Sequence, residues 1–168
     1  MVLQERYEVL DCIKYDKGLA GDGNHNDIWT TYRTQVTRGE EYTTISETTS
    51  GSDGVCYFTL PTSSNIRFEF DIYQVDGTAN NFFYNLSQEG TYLNGSAVGT
   101  LSKNVGEWLH IIIDLPPTGN YHLISYEGLS TPIQRSMTWD RSKSITFNLW
   151  TPSTTTSLRI KNFKVYPN

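Results

Sequence analysis

Two carboxylates that share one face of a predicted strand are the groups in this sequence best suited to chemistry. They are Glu69 and Asp71, within the segment Ile66 to Val75, which alternates apolar and polar residues. Because successive side chains of an extended strand point to opposite faces, both carboxylates lie on the polar side. Two carboxyl groups about 5 Å apart are what retaining glycoside hydrolysis requires. The simpler interpretation is a pair of solvated charges, paired with Arg67 or with lysines of neighbouring strands.

Aromatic residues outside the predicted core form a second set of candidates. Sugar rings present apolar C–H faces that stack on Trp and Tyr, while short polar side chains hold the hydroxyls. Strand phase or loop position places five aromatic residues away from the core, namely Trp29, Tyr73, Tyr84, Trp139 and Trp150. Trp108 begins a strand predicted to be buried, so core packing is the favoured interpretation there. With the two carboxylates, the five aromatic residues predict a ligand-binding surface for carbohydrate on the charged face or its rim.

Composition and charge argue against several classes of function. The chain has 168 residues, a formal net charge of −5 and a sequence pI near 5.1, with no run of Lys or Arg. Binding to nucleic acid through phosphate neutralisation is therefore not expected. The longest apolar run, Leu109 to Ile113 interrupted by His110, falls far short of the roughly 20 residues needed to span a bilayer. Neither membrane insertion nor a secretory signal segment is predicted.

Histidines and cysteines give no indication of a zinc site. His25, His110 and His122 are scattered and have no metal-ligand spacing with Cys12 and Cys56. The two cysteines allow at most one disulfide, and the sequence does not decide whether it forms.

The hydrophobic pattern predicts an all-β protein. About ten short segments rich in β-branched and aromatic residues are separated by Gly or Pro, and none shows sustained helical periodicity. This pattern is typical of a two-sheet antiparallel β-sandwich, or jelly roll. We expect a single domain over residues 1–168, which could be one module of a longer fibre or surface protein.

Three local features are also predicted. The apolar phase of the last strand, Leu158 to Tyr166, slips near Lys161 and Asn162, which indicates a β-bulge there. Residues 48–54 are dense in Thr, Ser and Gly and predict a hairpin-like connection between two strands. Residues 131–140 are expected to be irregular.

The succession of these segments resembles a concanavalin A-like, laminin-G-like jelly roll. The segments that carry the resemblance are Val55 to Leu60, Arg67 to Gln74, Glu107 to Ile113, Asn120 to Gly128, Ser144 to Trp150 and Leu158 to Pro167. The match covers most of the chain from residue 51 onward. A galactose-binding-like jelly roll is the alternative topology, because it also ends in a strand of this kind. Domains of this fold include lectins, carbohydrate-binding modules, hydrolases and viral fibre domains.

The resemblance also bears on catalysis. Laminarinase-type glycosidases of this fold carry Glu, Asp and a second Glu along one strand, with the first as nucleophile and the last as general acid. Glu69 and Asp71 match the first two positions, but Gln74 stands where the acid should be. Because an amide cannot protonate a leaving oxygen, the resemblance predicts a non-catalytic protein with no catalytic residues.

A structural calcium ion near the chain start is a further implication, since family members often hold one there. The segment Asp22 to Asp27 presents oxygen ligands at alternate positions, as calcium loops do. It is not an EF-hand, because the twelfth position from Asp22 is Arg33 rather than Glu. The candidate ligands are Asp16, Asp22, Asn24 and Asp27. A plain Asx-rich turn is the alternative, and no other cofactor is predicted.

The sequence therefore predicts a non-catalytic binding module that recognises carbohydrate or a glycosylated cell surface. The expected setting is extracellular or on a virion surface, in a phage or viral fibre or a cell-surface adhesin that binds a receptor. The competing interpretation is a structural virion or oligomer-forming domain, for example a trimer, whose aromatic residues pack against a neighbouring subunit. A laminarinase-like hydrolase that uses Glu69 and Asp71 is a third.

Overall fold

Strands form all of the regular structure in the part of the chain that the structure describes. In this computed structural model the described residues are 30–32, 34–38, 41–47, 54–60, 65–75, 83–93, 106–151 and 157–167. The strands are β1 (Thr30–Tyr32), β2 (Thr34–Arg38), β3 (Thr43–Glu47), β4 (Gly54–Leu60), β5 (Ile66–Gln74), β6 (Phe83–Gln88), β7 (Thr91–Tyr92), β8 (Trp108–Leu115), β9 (Tyr121–Tyr126), β10 (Ile133–Ser136), β11 (Ile145–Thr151) and β12 (Ser157–Pro167). Within these ranges there is no helix of the length and apolarity that crossing a membrane requires.

The strands form two antiparallel sheets. One sheet has five strands in the order β1-β4-β11-β6-β7, and the other has seven in the order β10-β9-β8-β5-β12-β3-β2. Both orders place strands that are far apart in sequence side by side, as in β12 between β5 and β3. The all-β, two-sheet sandwich predicted from the sequence is confirmed.

Alternation along β5 and β8 explains why the seven-stranded sheet buries only one face. The side chains of Phe68, Phe70 and Ile72 are buried, whereas their neighbours on β5 are partly or fully exposed. On β8 the buried side chains are those of Leu109, Ile111, Ile113 and Leu115, at alternate positions. Burial of one side chain of this size contributes about 1.5–3 kcal/mol, so the apolar phase fixes which face meets the other sheet.

Phenylalanine rings join the two sheets across the core. Phe147 of β11 in the five-stranded sheet lies 4.9 Å from Phe68 and 5.9 Å from Phe70, measured between ring centroids. Phe163 of β12 lies 5.5 Å from Phe70 and 5.9 Å from Phe147. All four rings are almost completely buried. Phe147 therefore packs the smaller sheet against the centre of the larger one.

The predicted bulge in the last strand is confirmed. The register of β12 against β5 shifts between Lys161 and Lys164, and Asn162 has a φ of 51°. Asparagine is among the few non-glycine residues that adopt this left-handed conformation readily. The extra residue restores the apolar phase, so that Phe163 is buried along with Ile160.

Two local predictions were wrong. Residues 48–54 do not join a hairpin, because β3 pairs with β2 and β12 in the larger sheet while β4 pairs with β1 and β11 in the smaller one. The chain changes sheets there, which a turn composition alone does not reveal. Within residues 131–140, Ile133–Ser136 forms β10, an edge strand on β9 that lacks a buried face of its own.

Candidate functional site

The outward side of the seven-stranded sheet, here called the outer face, carries the polar phase of β5 and its neighbours. On β5 it presents Arg67, Glu69, Asp71 and Tyr73, and on β8 it presents Trp108, His110, Ile112 and Asp114. The register pairs these residues directly across the two strands, with Asp71 opposite His110 and Tyr73 opposite Trp108. The alternation that buries one set of side chains therefore gathers these on one surface.

A carboxylate–histidine cluster occupies the middle of the outer face. His110 Nδ1 lies 2.6 Å from Asp71 Oδ1, and His110 Nε2 lies 3.7 Å from Glu69 Oε1. Asn162, at the bulge of β12, donates from Nδ2 to Asp71 Oδ2 at 2.6 Å. Both oxygens of Asp71 therefore have a partner, and the imidazole lies between the two carboxylates. The predicted pair of solvated charges is in fact bridged by a histidine.

An aromatic–cationic cluster adjoins it, formed by Tyr42, Tyr73, Trp108, Arg159 and Lys161. The ring centroids of Tyr73 and Trp108 are 5.3 Å apart, and those of Tyr42 and Trp108 are 6.0 Å apart. Arg159 Cζ lies 4.6 Å from the Tyr42 centroid and 5.3 Å from the Tyr73 centroid, and Lys161 Nζ lies 4.2 Å from the Trp108 centroid. All five side chains are partly exposed. Strands β5, β8 and β12 thus build a half-open aromatic surface with two cations.

A salt bridge lies on the outer face near the other end of β5. Arg67 Nε donates to Asp114 Oδ1 at 2.6 Å and Arg67 Nη2 donates to Oδ2 at 3.1 Å, so the pair is bidentate. Both side chains are substantially exposed, and a surface pair of this kind contributes little to stability, of the order of 0–1 kcal/mol. Its effect on the site is to neutralise Arg67.

Three of the predicted binding residues, Glu69, Asp71 and Tyr73, come together on the outer face. Sequence reasoning missed Trp108, which packs beside Tyr73 rather than in the core. The alternation along β8 could have revealed this position, because Trp108 precedes the buried Leu109 and so points to the opposite face. Arg159 and Lys161 were also missed, because nothing in the sequence shows that β12 pairs with β5.

Tyr84 does not lie outside the core, and the prediction that it does was wrong. It is 1% exposed, and its hydroxyl lies 2.7 Å from Nε2 of the buried His122. Burial raises the pKa of the Tyr84 phenol far above its usual value. Burial, and then the charge of Arg135, lower the pKa of His122 to about 4. Tyr84 points between the sheets because it shares the inward phase of β6 with Leu86, so it cannot contact a ligand at the surface.

Trp139 is likewise buried, at 5% exposure, which contradicts its predicted surface position. The guanidinium of Arg141 covers its ring at 4.7 Å from the centroid and also donates to the carbonyl of Gly119 at 2.7 Å. The segment is held in place by Gln88, whose side-chain amide donates to the carbonyl of Asp140 at 2.7 Å. Trp139 is therefore part of the core that anchors the segment between β10 and β11.

The remaining predicted residues lie outside what the structure describes. Trp29 and the calcium candidates Asp16, Asp22, Asn24 and Asp27 are not among the described residues, and of Trp150 only the backbone, in β11, is described. Among the described side chains, no group of three or more His, Cys, Asp or Glu residues is arranged to hold a metal ion.

No protein-family model matches this sequence, and no curated protein matches it either. Three solved structures of similar fold are informative. A sialidase aligns with a TM-score of 0.59 and 11% identity over 83% of this chain, which spans only 17% of the sialidase. The exoplasmic/lumenal domain of VIP36, in a Ca²⁺/Man3GlcNAc-bound form, aligns at 0.57 and 6% identity over 84% of each chain. Carbohydrate-binding module CBM66 from Bacillus subtilis aligns at 0.55 and 15% identity over 82% of this chain and 94% of its own.

These similarities, at low identity, concern the fold. They agree with the resemblance seen in the sequence and favour it over the galactose-binding-like alternative. The chain therefore has the concanavalin A-like jelly-roll fold that lectins and carbohydrate-binding modules also adopt.

Proposed function

We propose that this protein is a non-catalytic carbohydrate-binding module whose sugar lies on the outer face. The observation that carries the proposal is the contact between Tyr73 and Trp108 beside the Asp71–Asn162 hydrogen bond. Aromatic rings stack on the C–H faces of a sugar, and charged oxygens and amides form strong hydrogen bonds with its hydroxyls. Among the described side chains Glu69 has one partner, His110 at 3.7 Å, which leaves acceptor capacity for a hydroxyl.

Two proteins of similar fold support this proposal. The VIP36 domain has a Ca²⁺/Man3GlcNAc-bound form, and CBM66 is a carbohydrate-binding module. Because a fold hosts many functions, the argument for this chain rests on its own aromatic and carboxylate side chains.

The test compares three variants. We expect Trp108→Ala and Tyr73→Ala to weaken binding about fivefold or more, measured on a glycan array and then by calorimetry, because a central aromatic anchor often contributes above 1 kcal/mol. Tyr92→Ala is the matched control, since Tyr92 is 50% exposed on the edge of the other sheet. Melting curves verify that each variant is folded. Equal binding by all three variants and the unmodified protein would refute the proposed site.

Two features of β5 support a non-catalytic role. The β5–β8 register is continuous from Ile66 to Tyr73, so Gln74 follows in the phase opposite to Glu69 and Asp71. Both Asp71 oxygens are occupied by His110 and Asn162. Incubation with mixed β-glucans should yield no new reducing ends. Sustained turnover that Glu69→Gln abolishes would show instead that the protein is a hydrolase.

We further propose an extracellular or virion-surface setting, in which the domain is one module of a viral fibre or an adhesin. The proposed ligand supports this setting, because a module that binds surface glycans meets them outside the cell. In the competing structural role the outer face would pack against another subunit. Light scattering tests this alternative by giving the oligomeric state. A monomer that binds glycan supports the binding module, and a trimer whose interface buries Trp108 supports the structural role.

A structural calcium ion held by the early Asp and Asn residues belongs to the same proposal. The donor set is all oxygen, as calcium prefers. We expect the melting temperature to fall when a chelator removes calcium and to return when calcium is added. An unchanged melting temperature would count against the ion. The four ligands concerned are Asp16, Asp22, Asn24 and Asp27.

A further inference from the structure

We propose that the outer face selects acidic saccharides, meaning sugars that carry a carboxylate or a sulfate, through Arg159 and Lys161. This inference rests on the proposed carbohydrate-binding function and adds to it the chemical class of the ligand. It is carried by two cations that lie over the aromatic rings of the site without any carboxylate partner among the described residues.

Arg159 has an unfilled hydrogen-bonding capacity. Its guanidinium lies over the rings of Tyr42 and Tyr73, and its Nε is buried with no hydrogen-bond partner among the described residues. A buried donor left without an acceptor costs roughly 1–3 kcal/mol. The planar guanidinium has further N–H groups in a fixed fork whose spacing matches the two oxygens of a carboxylate or sulfate. Because Nε itself is buried, an anion would bind at the remaining N–H groups of this guanidinium.

Lys161 is placed beside an acid without pairing with it. Lys161 lies opposite Asp71 in the β5–β12 register, yet its ammonium lies over the Trp108 ring at 4.2 Å. Asp71 instead uses both oxygens for His110 and Asn162. The ammonium is therefore not paired with Asp71, and it lies beside the ring on which a sugar would stack.

Arg141 also lies over an aromatic ring, that of Trp139, but its guanidinium donates to the carbonyls of Pro116 and Gly119. Two further cations are paired with carboxylates. On the same face, Arg67 is neutralised by Asp114, and elsewhere Lys143 lies 2.9 Å from Glu89. The whole chain has a formal net charge of −5, so general attraction of anions is not expected. Selectivity for an anion would have to come from local contacts, and the aromatic–cationic cluster is where two unpaired cations meet aromatic rings.

The experiment uses pairs of glycans that differ only in charge. Oligogalacturonate is compared with its methyl ester, and dextran sulfate with dextran, by calorimetry on the full chain. We expect the acidic member of at least one pair to bind tenfold or more tightly, and the pair concerned identifies carboxylate or sulfate as the anion. This preference should shrink near 1 M salt, where the Debye length is about 3 Å.

Three variants test the residues. Arg159→Gln and Lys161→Gln should each remove most of the preference for the acidic member, by about tenfold, because each removes a charge-assisted hydrogen bond. Arg67→Gln removes the same charge from the same face but at a neutralised position, and should change affinity by less than about twofold. Arg159→Lys keeps the charge without the fork and should restore part of the preference, which also shows that the site is folded.

The outcomes separate this inference from the proposed function. Equal affinity for both members of each pair, with Arg159→Gln binding as the unmodified protein does, would overturn the selection of acidic sugars and leave the carbohydrate-binding proposal standing. No binding to these glycans or to any neutral glycan on the array would overturn both. If Arg67→Gln loses the preference for acidic glycans equally, the preference arises from the total charge of the outer face. That result would contradict the assignment to Arg159 and Lys161.

Discussion

Acid should destabilise this protein through His122 before most carboxylates titrate. The imidazole is fully buried, and its Nε2 contacts the Tyr84 hydroxyl, while Nδ1 has no hydrogen-bond partner among the residues that the structure describes. Burial, with the charge of Arg135, lowers the pKa from 6.5 to about 4. The unfolded chain therefore binds more protons than the folded one between pH 6.5 and pH 4, and stability falls as the pH decreases through this window.

The magnitude follows from linkage. At 1.36 kcal/mol for each pKa unit, the shift from 6.5 to about 4 corresponds to about 3 kcal/mol, of which roughly 2 kcal/mol is lost between pH 7 and pH 5. This is a large part of the 5–15 kcal/mol that stabilises a typical domain. Above pH 6.5 the contribution of His122 is fully present.

Urea unfolding at several pH values measures the effect. His122→Gln removes the titration, so its stability should depend less on pH than that of the unmodified protein, by about 2 kcal/mol between pH 7 and pH 5. NMR of the unmodified protein supplies a second measurement, because the His122 ring should titrate near pH 4. Parallel stability curves for the two proteins, or a His122 midpoint near 6.5, would refute the reasoning.

Three further substitutions test how the structure is held together. Trp139→Ala should cost about 3–5 kcal/mol of unfolding free energy, because the ring is buried beneath Arg141; unchanged urea unfolding would contradict its place in the core. Gln88→Leu should cost roughly 1–3 kcal/mol of unfolding free energy, since the Gln88 amide donates to several carbonyls of the segment before β11. Hydrogen exchange in that segment should also rise, and unaltered exchange would count against this role of Gln88. Asn162→Gly should be about 1 kcal/mol more stable than Asn162→Ala, because φ is 51° there; the opposite order in thermal melts would be inconsistent with the bulge.

Strand positions were predictable because burial imposes a period of two. Strand β5 (Ile66–Gln74) ends one residue before the predicted segment Ile66 to Val75, and β8 begins at Trp108 as predicted. Each has several apolar side chains on one phase, and each of these gains free energy only inside the sandwich. The edge strand Ile133–Ser136 has no buried phase, so the same reasoning did not find it.

The candidate site was predictable in part, for the same reason. Glu69, Asp71 and Tyr73 are on the polar phase of a clearly alternating strand, and the structure places all three on the outer face. The predictions for Tyr84 and Trp139 were wrong because strand phase or loop position suggested the surface, whereas packing against other elements buried both side chains. Trp29, the side chain of Trp150 and the calcium ligands remain predictions.

The alternation of apolar and polar residues determined, without any structure, that β5 and β8 are strands and which side of each faces water. It could not determine which strands become neighbours, because pairing is decided by contacts between distant segments. Asn162 and Asp71 are 91 residues apart and meet at 2.6 Å. Only the tertiary structure brings Arg159 and Lys161 of β12 beside the aromatic rings of β5 and β8, since the burial of Phe147, Phe163 and their partners selects that strand order over other arrangements with the same local pattern.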